Sequence, residues 1–208
     1  GIPSLVTELG ENVDSPEAAR RVVDEYLERA RCIRERGLDM ELSVKPTHLG
    51  LDQGLELAVR NVVEIARAVP GIVWIDMEAS GYVDATLDLF RRVAGEVENV
   101  GLCLQAYLHR TVDDYEALID LAPAIRLVKG AYLEPPEVAM PDKRDVDAAY
   151  GRLAARMLED RKAGRVGRPC LGTHDARLIA EARGVAERIG LASAAWEVAM
   201  LYGIATGE

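Results

Sequence analysis

Seven short apolar runs punctuate this chain, and the stretches between them carry the spacing of amphipathic helices. The runs are SLVTEL (4–9), MELSVKPT (40–47), GIVWIDME (71–78), VGLCLQAY (100–107), AIRLVKGA (124–131), RPCLGTHD (168–175) and AAWEVAM (194–200). They are β-branched or mixed apolar and mostly follow Gly, Pro or Asn, which suits buried strands of a parallel sheet. Strands and helices in strict alternation leave two architectures, a doubly wound sheet or a (β/α)8 barrel. A dinucleotide-binding doubly wound fold places a glycine-rich turn after its first strand, whereas Glu8-Leu9-Gly10-Glu11 contains no GxGxxG. Polar residues instead close many different strands, as in barrels. The expected fold class is therefore α/β, a (β/α)8 TIM-type barrel left incomplete by the seven strands legible in the sequence, in one domain spanning residues 1–208.

The helices announce their ends. Ser15-Pro16-Glu17 reads as N-cap, first-turn proline and early acid, and Gly37 as the stop. Asp52 is expected to cap the helix holding Leu55 to Ile65, Asp84 that of Ala85 to Val97, and Thr111 that of Tyr115 to Leu121. Asp145 precedes Ala148 to Met157, and Asp175 precedes Leu178 to Ile189. Pro135-Pro136 through Pro141 reads as an irregular loop.

With 49% hydrophobic and 29% charged residues, the chain of 208 should fold as a globule. Its net charge of −10 argues against a general nucleic-acid binder. Cys32, Cys103 and Cys170 are scattered and lack CxxC spacing, so neither a disulfide framework nor a metal site is expected. A reducing, cytoplasmic setting fits, and no run approaches the roughly 20 apolar residues needed to span a bilayer.

Four strand ends carry chemistry. Lys45 in SVKPTHLG is unusual on a buried strand. It is a cation for a carboxylate or phosphate, or a rim lysine snorkelling to water. His48 nearby reads as a loop residue. In WIDMEAS, alternation sends Asp76 and Glu78 to one side and Met77 to the other, and acids so placed are paired or perturbed, with Lys45 or Arg126 as structural partners. Gln105 offers an amide to a buried hydrogen bond or to the edge of a flat heterocycle. RLVKGAY (126–132) places Arg126 and Val128 on one face and Leu127 and Lys129 on the other, with Gly130-Ala131 permitting close approach of an anion. Gly172 to Asp175, GTHD, supplies a hydroxyl, an imidazole and a helix cap suited to phosphate, or capping alone.

In combination these segments resemble the proline dehydrogenase family, FAD enzymes on a distorted (β/α)8 barrel. SVKPTHLGL, IDMEAS, LQAYLHR, RLVKGAYLEP, GTHD and EVAMLYGI follow the order of the family's bacterial monofunctional members across essentially the whole chain. The resemblance implies oxidation of L-proline to Δ1-pyrroline-5-carboxylate by hydride transfer to flavin N5, with electrons passed to a quinone. It implies that Lys45 pairs with the proline carboxylate, that Asp76 is the acid near flavin and substrate, and that Met77 packs on the flavin. Leu104 and Gln105 would contact the isoalloxazine, Arg126 would lie against the N5 region, and Lys129, Gly130 and Ala131 would hold cofactor groups. Tyr132 would line the substrate pocket, and Thr173 and His174 would bind the distal part of FAD. Peripheral contact with the inner face of a membrane follows from quinone as acceptor.

The chain departs from the pattern. LYGIATGE ends before the family's eighth strand and the helix bearing its carboxylate-clamping arginines, Pro46 replaces an aliphatic residue, and Ala199 replaces a frequent glutamine. A shortened chain is the leading expectation; the alternatives are completion by another chain or by a neighbouring subunit of a homo-oligomer, and a natural minimal form that closes differently. Two rival readings are a Schiff-base aldolase using Lys129 and a non-catalytic flavin-binding scaffold.

Overall fold

The computed structural model describes residues 3–204. It forms two compact units, Gly1–Leu102 and Cys103–Glu208. Among the described residues, strands and helices alternate throughout, and no helix is long and apolar enough to cross a membrane.

The first unit contains β1 (Ser4–Thr7), α1 (Pro16–Arg36), β2 (Met40–Val44), α2 (Leu55–Ala68), β3 (Val73–Ile75), α3 (Val83–Ala94) and the start of β4 (Val100–Gln105). Its strands pair in parallel and in chain order, with Val6 opposite Leu42, Val44 opposite Ile75, and Ile75 opposite Leu102. The expected first helix forms: Ser15 Oγ accepts the Ala18 N–H at 3.3 Å, and Gly37, at φ 59°, ends the helix in the left-handed region. Buried Val23 and Tyr26 of α1, Val62 and Ile65 of α2, and Leu87 and Phe90 of α3 supply much of the core. Trp74 is fully buried, and a Cβ on residue 101 would fall 2.6 Å from its ring, so glycine is required there.

Two caps of this unit differ from expectation. Asp52 falls in a 3-10 turn, Leu51–Gln53, and Gly54 takes the N-cap of α2. The Asp52 carboxylate instead accepts from Asn12 Nδ2 at 3.1 Å. Asp84 lies inside the first turn of α3, where its charge faces the positive end of the helix.

The second unit contains the end of β4, α4 (Thr111–Glu116), β5 (Ala124–Val128), α5 (Lys143–Lys162), β6 (Arg168–Gly172), α6 (Ala176–Arg188) and β7 (Glu197–Ala199). β5 pairs with β6 and β6 with β7, all parallel, aligning Arg126 with Cys170 and Cys170 with Glu197. After β4, the Ala106 and Tyr107 N–H groups donate to the carbonyls of Val128 and Lys129 at 2.8 and 2.9 Å. Asp175 caps α6 as expected, accepting from the N–H groups of Arg177 and Leu178 at 3.1 and 3.3 Å. Thr111 does not cap α4; it is the helix's first residue, and its hydroxyl donates back to the Gln105 carbonyl at 2.5 Å. α5 starts a turn earlier than Asp145 suggested, because Asp142 accepts the Arg144 N–H. Residues 135–141 form the expected irregular connection, pinned by a bridge between Leu108 and Ala139.

Candidate functional site

In the first unit, chemistry gathers beyond β2 and β3. Both strands are shorter than the apolar runs that encode them, so Lys45 and Asp76 each follow directly on a strand end. Lys45 is partly buried and its Nζ meets Glu11 Oε1 at 2.6 Å, a partner from the β1–α1 loop that sequence reasoning did not single out. Burial works against the lysine's charge, but the Glu11 hydrogen bond, with the charges of Glu11, Asp76 and Glu78, outweighs it and holds Lys45 above its ordinary pKa.

Asp76 is half-buried. Its backbone N–H donates to the Val44 carbonyl at 2.8 Å, and its Oδ1 accepts from Ser43 Oγ at 2.8 Å. Met77 and Glu78 are buried. The expected alternation of Asp76, Met77 and Glu78 does not govern these residues, because β3 ends at Ile75. Glu78 turns toward Thr47, accepting its N–H at 2.9 Å and its hydroxyl at 2.5 Å. Burial raises the Glu78 pKa, and the two Thr47 hydrogen bonds oppose the rise. His48, expected in a loop, sits buried in a 3-10 turn with its ring against Gly10.

In the second unit, Leu104 and Gln105 are buried at the end of β4, and Arg126 is only 8% exposed on β5. Arg126 and Val128 both approach Gly172 of β6, as period two requires. Lys129 follows β5 and reaches carboxylates on the helical side, Asp147 of α5 at 2.6 Å and Asp175 at 3.0 Å. Burial disfavours its charge, yet those two hydrogen bonds more than compensate and its pKa is raised. Gly130 has φ 122°, and a Cβ there would lie 2.2 Å from the Tyr107 ring. Ala131 is exposed and Tyr132 half-buried, with its carbonyl accepting from the Tyr107 hydroxyl at 3.2 Å. Thr173 is buried and its Oγ1 accepts the Asp175 N–H at 3.1 Å, while His174 Nε2 accepts the Leu201 N–H at 3.0 Å.

Each unit thus collects its nominated residues at the carboxyl ends of its strands. Ser43, Thr47, Glu11 and Asp147 were missed. A serine inside the apolar run MELSV was the one available signal; the others are ordinary loop or helix residues until the fold supplies their partners.

The family model described as Proline dehydrogenase matches residues 1–207. A Deinococcus radiodurans protein named Proline dehydrogenase is 38% identical over 212 residues, covering 98% of this chain and 67% of that protein. Proline dehydrogenase 2 of Bacillus subtilis is 36% identical over 207 residues, again covering 98% of this chain and 67% of the relative. A solved mutant of Bradyrhizobium japonicum Proline Utilization A (PutA) superposes with a TM-score of 0.83 at 21% identity, covering 97% of this chain and 24% of that one. The chain therefore spans about two thirds of these curated relatives and about a quarter of the solved protein, whose likeness shows the fold.

Proposed function

This chain belongs to the proline dehydrogenase family, and on that footing we propose that it oxidises L-proline to Δ1-pyrroline-5-carboxylate, the first step of proline catabolism, with FAD bound non-covalently. The observation that carries the proposal is Arg126, a buried arginine two residues before the carboxyl end of β5 within RLVKGAY. Arg126 and Gln105, both buried, are the donor types a flavin would use: an amide for the heterocycle edge and a cation for developing negative charge. When bound, the flavin supplies the two-electron acceptor that no side chain can provide.

The rest falls to the chain. L-Proline is a zwitterion and needs one group of each sign. Lys45, kept charged, would receive the carboxylate, which must displace Glu11 from the same Nζ. Asp76, held by Ser43 and Val44, would receive the ring nitrogen. Leu104, Gln105 and Arg126 would contact the flavin ring, Gly130 and Ala131 would hold further cofactor groups, joined by Lys129 if it leaves Asp147 and Asp175, Thr173 and His174 would bind the more distal part, and Tyr132 the substrate. Orientation and electrostatics are the protein's contribution. Electrons would pass to a quinone, with the chain meeting the cytoplasmic face of a membrane peripherally.

The aldolase reading gains no support. A Schiff-base lysine is activated by a lowered pKa, whereas Lys129 is pinned as a cation between two carboxylates. The test is to load the protein with FAD, supply L-proline and an artificial acceptor, and follow Δ1-pyrroline-5-carboxylate. Product formed in step with acceptor reduction is expected. Flavin-loaded protein that yields no product contradicts the proposal.

A further inference from the structure

A buried hydrogen-bond chain converges on Asp76 from the side away from solvent. Tyr26 of α1 is fully buried; its hydroxyl accepts the Glu8 N–H at 2.9 Å and donates to the Ser43 carbonyl at 2.7 Å. The phenol therefore ties the end of β1 to β2 at the very residue whose side chain reaches the acid. Ser43 is 1% exposed. Acceptors in range of its hydroxyl include Asp76 Oδ1 at 2.8 Å and the Trp74 carbonyl at 3.4 Å. The carboxylate is both nearer and charged, so it takes the proton donor. The next residue of β2, Val44, accepts the Asp76 backbone N–H at 2.8 Å. Side chain and main chain of Asp76 are thus both registered against two consecutive residues of β2.

We propose that Ser43 is a positioning residue for Asp76, with Tyr26 as the buttress that fixes Ser43. An aspartate side chain has several staggered rotamers in principle, and in a half-buried one its contacts decide among them. The Ser43 hydroxyl selects one of them, and so aims the negative charge. The consequence for turnover rests on the functional reading above, in which Asp76 faces substrate; the geometric claim stands apart from it.

Two measurements separate these levels. The first is flavin reduction by saturating L-proline in FAD-loaded protein. Ser43→Ala should lower the limiting rate about tenfold, the size of a lost hydrogen bond to a charged group, with a smaller loss of proline affinity, because Lys45 still receives the carboxylate. Ser43→Thr, which keeps the hydroxyl, should restore most of the rate. In an Asp76→Ala background, Ser43→Ala should have no further effect. A full-sized effect without Asp76, or a threonine variant as slow as alanine, overturns the positioning role. The second measurement needs no activity: a crystal structure of Ser43→Ala should show the Asp76 carboxylate displaced or split between rotamers, and an unmoved carboxylate overturns the proposal. If the parent protein is not reduced by proline while the Asp76 rotamer still follows the Ser43 hydroxyl, the functional reading fails and the geometric one survives.

Discussion

Arg126 and Lys45 make different demands on the same chemistry, and single substitutions separate them. Arg126→Met keeps the aliphatic stem in its buried slot and removes the charge, so the protein should fold while proline-driven flavin reduction slows at least tenfold. An unchanged rate in stopped-flow measurements removes Arg126 from the chemistry. Lys45→Ala should act mainly on the Michaelis constant, raising it by about tenfold or more, because the lysine serves substrate binding and not electron transfer. A fall in kcat with an unchanged Michaelis constant contradicts that assignment. At this scale the sequence was informative where a charge sits against a strand: Lys45, Asp76, Gln105 and Arg126 stand out from apolar neighbours. It was uninformative about Glu11 and Thr47, whose importance comes from partners 34 and 31 residues away.

Whether an element could be read in advance depended on whether its end is defined by local chemistry. Ser15-Pro16 and Asp175 cap helices from their own sequence, and both ends formed where expected. Asp52 and Thr111 have the right chemistry for caps but are claimed by Asn12 and by the Gln105 carbonyl, and no local pattern reports such competition. Strand ends were overestimated for a related reason: polar functional residues extend the apolar runs without extending the ladder. The turn after β5 offers the sharpest test here. Gly130 combines a positive φ with the Tyr107 ring in the space a side chain would need. Gly130→Ala should therefore destabilise the protein by about 1–3 kcal/mol, read as a lower denaturation midpoint. An unaltered midpoint would mean that the ring and turn move aside freely.

For the molecule as a whole, the α/β class and the order of elements were legible from periodicity, while the polar anchors that hold it were not. Asp160 looks like one more charge on a charged helix, yet it is fully buried, where it accepts from Tyr115 Oη at 2.8 Å, from Arg156 Nε at 3.0 Å and from Arg165. Asp160→Ala leaves the buried Tyr115 hydroxyl without its acceptor while the exposed arginines return to water, and should cost about 1–3 kcal/mol in chemical denaturation; a loss below about 0.5 kcal/mol would show the cluster to be solvated. Acid sensitivity has its source in Asp147 of α5. Hydrogen bonds from Lys129 and then Lys143 lower the Asp147 pKa from 3.8 to about 2. A carboxyl with a depressed folded pKa contributes stability that is present above its unfolded value and is lost as pH falls through the folded one. Stability should therefore drop between about pH 4 and pH 2, and Asp147→Asn should flatten that limb in a pH series of melts. The most direct test of the central claim is the visible spectrum of the FAD-loaded protein under anaerobic conditions, before and after L-proline. The flavin bands should bleach on addition of proline; bands that persist in folded, flavin-bound protein would contradict proline oxidation by this chain.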